Sequence, residues 1–540
     1  MLSTMQDAPL SLAQLLRYGS TVHGTAEVIT WTDNGPRRQT YAETGRRCAR
    51  LAHALTKLGI TGDQRVGTFM WNNSEHLEAY LAIPAMGAVL HTLNIRLFPE
   101  QLIHIVNHAE DRVILVDASL LPLLAPQLPQ CRTVEHLVVT GPTVPDADIP
   151  ESITVHAWED LIADEPDEFD WPEHDERSAA ALCYTSGTTG DPKGVAYSHR
   201  SIWLHSMQVC MTDGMGLRQG NIALNIVPQF HAMSWGMPYA AFMIGASLLM
   251  PGPFLQPAPL AQMIAEVRPD FAAAVPTIWQ GLLTYLADHD VDISSMKKAV
   301  VGGSAAPPSL LHDFQDRYGI TVIHAWGMTE TSPLGSVANP PAEATGEEAW
   351  RYRHTQGRFS AAVRARLVDD DGTVMPHDGD AVGELQVRGP WIAGSYYLVD
   401  APDKFDDGWL RTGDVGSITP DGFLTLTDRT KDIIKSGGEW ISSVELENLV
   451  MGHPDVLEAA VIGIPDDKWD ERPLVAVVRR EGADTTFAQL REHLDGKIAK
   501  WQLPENWAWV TEIPKTSVGK FDKKRLRAAF GAGDLEVERL

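Results

Sequence analysis

Short apolar runs alternate with helix-spaced apolar residues along most of the 540-residue chain, the pattern of layered α/β structure. RVGTFMW (65–71) predicts a strand. Asn73 or Ser74 then caps a helix running to about Met86, and AVLHTL (88–93) is the next strand. A clearer unit is KKAVVGGSAAPPSLLHDFQDRYGITVIHAWG (297–327). It predicts a strand at 298–301, a Gly302-Gly303 turn, a helix opened by Pro307 and Pro308 and stopped by Gly319, and a strand at ITVIHAW. After about residue 355, short strands separated by DDDG, HDGD and PDG predict a β-rich subdomain of hairpins. The last stretch reads as a compact α+β unit: VELENLVMGH helical, EAAVIGI and LVAVVRR strands, TFAQLREHLDGKIAK helical. The expected class is α/β, with a large N-terminal domain of layered α/β sheets plus the β-rich subdomain (1–427) and a small α+β C-terminal domain (428–540).

One stretch breaks the alternation. From Gln219 to Ala265 there is no Asp, Glu, Lys or Arg, and AMSWGMPYAAFMIGASLLM is almost wholly apolar. Its length would suit a membrane span. Gly236, Pro238 and Gly245 interrupt it and Pro228 and Pro251 flank it, so a buried helix beside an apolar pocket is expected instead.

Composition narrows the function. Hydrophobic residues make up 44% and charged residues 21%, ordinary values for a soluble globular protein. The net charge of −27 leaves no basic footprint for nucleic acid and no electrostatic attraction to anionic lipid. It also requires that any polyphosphate site be locally basic. Cys48, Cys131, Cys183 and Cys210 are widely spaced without a CxxC, as expected of reduced thiols in a cytoplasmic protein. The N-terminus has no basic segment followed by an apolar core, so no signal peptide is expected.

The chemistry concentrates in YTSGTTGDPKG (184–194), directly after the apolar run AALCY. Gly187, Gly190 and Gly194 let backbone amides approach an anion. Thr185, Ser186, Thr188 and Thr189 add hydroxyls, and Lys193 adds a flexible cation. Lys193 precedes Gly194, so this is not the Gly-Lys-Ser/Thr loop of P-loop NTPases. The 185–194 turn and Gly302-Gly303 both follow strands, and ligands in open α/β sheets bind at strand carboxyl ends.

YTSGTTGDPKG resembles the phosphate-loop signature of adenylate-forming enzymes: acyl-CoA synthetases, luciferases and adenylation domains. AWGMTETSP (325–333), GWLRTGDVG (408–416), DRTKDIIKSGGEWISSVELE (428–447) and PKTSVGK (514–520) resemble the family's later motifs, in the family's order. VPQFHAMSWGMPYAA and IKSGGEWISS are most similar to the medium- and long-chain fatty acyl-CoA synthetases.

The resemblance implies ATP, Mg²⁺ and CoA. It places Glu330 and Thr185 at the Mg²⁺, and Trp326, His324, Ala325 and Gly303 around adenine, with Thr329 nearby. Ala325 stands where many relatives have Gly. Asp414 and Arg429 are implied at the ribose, Lys431 and Lys193 at phosphates, and His231 near the substrate carboxylate, with Trp235 at the mouth of an acyl tunnel. Lys520 is implied as the catalytic lysine. Asp428 is implied as the hinge about which a mobile C-terminal domain turns, withdrawing Lys520 and presenting Lys435 and Trp440 to CoA. The implied reaction joins a fatty acid to CoA through an acyl-adenylate. Alternatives are an aryl or other carboxylic acid:CoA ligase, a fatty acyl-AMP ligase serving a carrier protein, and, outside catalysis, an inactive binding protein. The resemblance also permits a homodimer.

Overall fold

The computed structural model describes every residue except Leu2, 186–190, Asp370, 437–438, Asp467 and 517–519; the side chains of Glu439 and Trp440 are likewise outside the description. Three sheets carry the chain. In the first, Arg65–Phe69 lies at the centre, parallel to Val89–Thr92 and Asp111–Asp117. Ala179–Tyr184 extends it, and Gly194–Ser198 returns antiparallel beside that strand, so the phosphate-loop motif joins neighbouring strands at a sheet edge.

The second sheet holds Ser247–Met250, Ile222–Asn225, Phe271–Ala274, Lys298–Val301 and Thr321–Gly327 as parallel neighbours. It continues through antiparallel Leu334–Val337 and Gly357–Phe359 into the hairpins Phe423–Arg429, Trp409–Ile418 and Gly383–Arg388. The β-rich part is therefore an extension of the same sheet. The third sheet has six strands, all within residues 434–539. The overall class is the expected α/β.

Local signals act as read. Asn73 caps the helix Ser74–Ala85 by accepting the His76 N–H at 2.8 Å. Pro308 opens Pro308–Tyr318, and Gly319 closes it with φ of 67°. Two expectations change. The helix in 486–500 spans only Phe487–Leu494, because Asp495 turns extended and Gly496 takes φ of 76°. The charge-free stretch does not form one long helix. It divides into strand Ile222–Asn225, a turn at Ala232–Gly236, the eight-residue buried helix Met237–Ile244, and strand Ser247–Met250. Neutrality follows from burial between layers, where every element must be apolar. No helix among the described residues is long and apolar enough to cross a membrane.

Helix Pro276–Asp288 packs beneath the strand that ends in Gly302-Gly303. Trp279, 1% exposed, meets Phe314 edge-on and donates its indole N–H to the Val300 carbonyl at 3.1 Å. Trp279→Ala should cost about 3–5 kcal/mol of stability, the scale for removing a buried aromatic. It should visibly lower the thermal unfolding midpoint; an unchanged midpoint would show that Trp279 does not support that strand.

Candidate active site

A cleft of about 1850 Å³ runs from the phosphate-loop stem, past the carboxyl ends of the central strands, to the C-terminal sheet's lysine loop. Thr185, Lys193, His231, Trp235 and Gly303 line it. So do His324, Ala325, Trp326, Thr329 and Glu330, from the end of Thr321–Gly327 and the turn after it. Asp414, Asp428, Arg429, Lys431 and Lys520 line it as well. Ser186, Gly187, Thr188, Thr189 and Gly190 lie outside the described residues. Lys435 is exposed and is not among the cleft residues; its backbone pairs with Trp440 in the hairpin Ile434–Ser436/Glu439–Ile441.

Asp414 organises one wall. Its carboxylate accepts the Trp326 indole N–H at 2.8 Å through one oxygen and meets Arg429 Nε at 2.8 Å through the other. Asp414 and Arg429 are register partners on adjacent strands, so sheet geometry sets the pair. The Asp414 carboxylate, more than any other group, raises the guanidinium pKa further above its already high range. The Trp326 ring lies over Gly335, where a β-carbon would come within 2.3 Å of it. His324 is 2% exposed with Nδ1 unpartnered among the described residues, and burial lowers its pKa to about 4, so the ring is neutral at pH 7.

Glu330 sits in a tight turn whose backbone carbonyl accepts the Ala393 N–H at 2.8 Å. Its carboxylate accepts the Tyr396 hydroxyl at 2.6 Å, and the Lys193 ammonium lies 5.0 Å from the centre of the same ring. The neighbouring Thr329 carbonyl accepts the Tyr197 hydroxyl at 2.5 Å. Thr185 Oγ1 accepts the Lys193 N–H at 3.1 Å, closing the stem of the phosphate loop. Glu330 and Thr185 bring only oxygen donors to the cleft, a set that suits Mg²⁺, which takes few protein ligands and completes its shell with phosphate and water.

Lys520 reaches in from the C-terminal unit. Its Cε would lie 3.8 Å from a β-carbon at Gly303, whose φ of 84° favours glycine. Loss of water, then the nearby Arg429, lower the ammonium pKa to about 8. His231 is pushed down to about 3 by burial and then by Lys520 and Arg96, so it faces the cleft as a neutral imidazole. Asp428 is buried, its carboxylate accepting its neighbour Arg429's N–H and the Ser443 N–H, each at 2.7 Å.

Several contributors escaped sequence reasoning. Tyr396 lies outside every motif and meets Glu330 only through the fold. Ala232, Met233, Ser234 and Trp235 take left-handed φ of 43°, 54°, 52° and 53° in succession, a conformation costing roughly 1–2 kcal/mol per residue. Ser234 Oγ, 2.8 Å from Asn225 Oδ1 and 2.6 Å from the Val227 carbonyl, holds this turn, and Asn72 Nδ2 also donates to the Val227 carbonyl at 2.8 Å. The turn drives the Trp235 indole against Gly302 and Gly303. The glycines of the motif were a visible signal for close approach; nothing local announced the left-handed run.

Comparison with known proteins agrees with this geometry. The profile of AMP-binding enzymes matches residues 19–397, and that of the AMP-binding enzyme C-terminal domain matches 445–520. The chain is 45% identical to the 3-methylmercaptopropionyl-CoA ligase of Ruegeria lacuscaerulensis over 534 residues, 98% of this chain and 99% of that one. It is 43% identical to the medium-chain-fatty-acid–CoA ligase of Ectopseudomonas oleovorans, covering 98% of each. It is also 43% identical to the long-chain-fatty-acid–CoA ligase of Thermus thermophilus, covering 98% of this chain and 97% of that one. Among solved structures, the anthranilate CoA ligase AuaEII with anthranoyl-AMP superposes with a TM-score of 0.88 at 25% identity, over 98% of this chain and 100% of that one. The chain belongs to the AMP-binding enzyme family. Within it, this protein is an AMP-forming acyl-CoA ligase, using ATP, CoA and a carboxylic acid.

Asp414→Ala leaves the buried Trp326 N–H without its acceptor. A loss of about 1–3 kcal/mol is expected, the cost of an unsatisfied buried donor. Differential scanning fluorimetry would detect it, and an unaltered midpoint would show that the indole finds another partner.

Proposed function

We propose that this ligase activates a medium- or long-chain fatty acid. The observation that carries this reading is the charge-free stretch 219–265, whose buried turn and helix bring His231 and Trp235 to the cleft where the acid's carboxylate must lie. An alkyl chain needs such uncharged surroundings. The medium- and long-chain relatives support it. A second reading, a short acid such as a thioether propionate, is favoured by the Trp235 indole lying against Gly302 and Gly303, if that ring bounds the acid's chain. AMP release across saturated acids from three to sixteen carbons, plus 3-(methylsulfanyl)propionate and benzoate, with and without CoA, separates them. A maximum at the thioether acid or at benzoate would overturn the fatty-acid reading.

The carboxylate oxygen attacks the α-phosphorus of ATP and pyrophosphate leaves. Both reactants are anions, so placed positive charge is the main catalytic resource. Lys520 is the catalytic cation that meets carboxylate and α-phosphate, with Lys193 and Lys431 toward the phosphates. His231, neutral, donates or accepts a hydrogen bond near the carboxylate and adds no charge. Trp326, His324, Ala325 and Gly303 receive adenine, Thr329 borders them, and Asp414 and Arg429 hold the ribose. Mg²⁺, held by Glu330 and Thr185, would supply charge neutralisation of the phosphates. In the second step the CoA sulfur attacks the acyl carbonyl, AMP leaves and the thiol proton is released. Lys520 blocks that approach, so the unit beyond Asp428 turns about this residue and offers Lys435 and Trp440 to CoA. Four cysteines without a disulfide support a cytoplasmic setting.

Two outcomes follow. Lys520 works as an ammonium, and its lowered pKa means the charged form is present below about pH 8 and lost above it. Adenylation measured by acid-dependent ATP–pyrophosphate exchange should therefore fall as pH rises through about 8, and Lys520→Ala should reduce it by more than about 10²-fold at pH 7, with the deficit shrinking above pH 8. A flat profile from pH 7 to 9.5 would refute this role. Trp235→Ala should shift the preferred acid by at least two carbons toward longer chains; an unmoved chain-length profile would remove Trp235 from substrate selection.

A further inference from the structure

Beyond Lys520 the chain enters the helix Lys523–Ala532, and its first residue sits among buried polar groups. The Lys523 ammonium donates to Ser443 Oγ at 2.6 Å and pairs with Glu447 at 2.8 Å; the two charged side chains are only 11% and 8% exposed. Ser443, fully buried, donates both its N–H and its hydroxyl to the same oxygen of Asp428. Glu447 also accepts the Val461 N–H at 2.8 Å. A continuous chain of contacts therefore runs Glu447, Lys523, Ser443, Asp428.

Its two ends matter. Asp428 belongs to strand Phe423–Arg429, paired through Val415 to the sheet that carries Asp414. Lys523 is one residue past Asp522, whose N–H donates to the Pro514 carbonyl at 2.7 Å, while the Thr516 N–H donates to the Lys520 carbonyl at 2.7 Å. The limb bearing Lys520 is thus hydrogen-bonded to itself at its base and tied by Lys523 to the hinge carboxylate. Burying an ammonium here is costly unless it is fully paired, and pairs of this kind are better explained by the geometry they specify than by the stability they add. Apolar packing could join these elements; it would not set the distance between the hinge and the lysine loop through directional bonds.

We propose that Lys523 is a positioning residue of the adenylation step, holding the lysine loop against Asp428 through Ser443 and so setting where Lys520 projects into the cleft. The inference rests on the reading of Lys520 as the adenylation lysine. It goes beyond that reading by assigning the ion pair Lys523–Glu447 to one half-reaction only, since in the second step Lys520 is withdrawn.

The test uses the full-length enzyme with Lys523→Met and Lys523→Arg, following ATP–pyrophosphate exchange, single-turnover transfer of supplied acyl-adenylate to CoA, and thermal midpoint. Lys523→Met should lower the kcat of exchange by about 10–100-fold with KM for ATP and acid changed by less than about threefold, the signature of a displaced catalytic group. Transfer from supplied adenylate should stay within about threefold, and Lys523→Arg should recover most of the exchange rate. Equal loss of both half-reactions, or normal exchange in Lys523→Met, overturns the proposal. If Lys523→Met does not fold, Ser443→Ala keeps the Lys523–Glu447 pair, removes its link to Asp428, and must show the same split. Lys520→Ala, run alongside, distinguishes the two failures. Retained exchange there defeats the reading of Lys520 itself; lost exchange there with normal exchange in Lys523→Met defeats this inference alone.

Discussion

The Asp414 carboxylate is the constraint on which the site's architecture depends. It joins strand Thr321–Gly327, which carries Trp326, to a distant hairpin, whose strand Trp409–Ile418 carries Asp414 and whose adjacent strand carries Arg429. Both carboxylate oxygens are committed at 2.8 Å, so neither the indole plane nor the guanidinium can move independently. A carboxylate bridging an indole N–H and a guanidinium also solves an electrostatic problem. The protein carries a net charge of −27, yet its cleft must accept a polyphosphate and a carboxylate together. Arg429, Lys193, Lys431 and Lys520 bring cations to its lining among a number of carboxylates. Asp414 keeps Arg429 in place without cancelling the rest.

Rigidity on one side of the cleft meets strain on the other. Four successive non-glycine residues in left-handed conformation, Ala232 to Trp235, persist because Ser234, Asn225 and Asn72 over-determine the turn. The strained turn delivers an indole to a glycine pair, and it is held by Asn225 of the second sheet and by Asn72, in the loop after the first sheet's strand Arg65–Phe69. The Trp235 end of the cleft is thus shaped where two layers meet.

The lysine end is built on different terms. Lys520 is kept near its deprotonation point by burial and by Arg429, while Lys523 three residues later is kept charged among carboxylates, with its pKa raised. Two lysines three residues apart, one on the loop and one opening the helix, have opposite surroundings, the one expected to act and the other expected to hold. The Asp428 carboxylate, on the large sheet, accepts from Ser443 in the first turn of helix Ser443–Met451, so directional hydrogen bonds join the two elements.

Much of this was legible in the chain. Apolar periodicity, Asn73, Pro308 and Gly319 predicted elements because these are local effects of capping and backbone freedom. The motif residues Thr185, Lys193, Gly303, Trp326, Glu330, Asp414, Arg429 and Lys520 were recognisable as chemistry suited to a nucleotide and a carboxylate, and the sequence alone excluded nucleic acid by charge. Other features depended on the fold. The shortened helix at Leu494 turned on one Asp-Gly pair overriding periodicity. The charge-free stretch read as one apolar unit because burial between layers erases the polar alternation that separates strand from helix. Tyr396 beside Glu330, the left-handed turn under Trp235, and the Lys523–Ser443–Asp428 chain involve residues whose types are ordinary and whose meaning lies in who stands opposite. Residue types and local spacing determined the elements, and the motifs' resemblance implied the reaction chemistry; only tertiary packing, which brings residues from tens to more than a hundred positions apart to within about 3 Å, decided which side chains hold that chemistry in place.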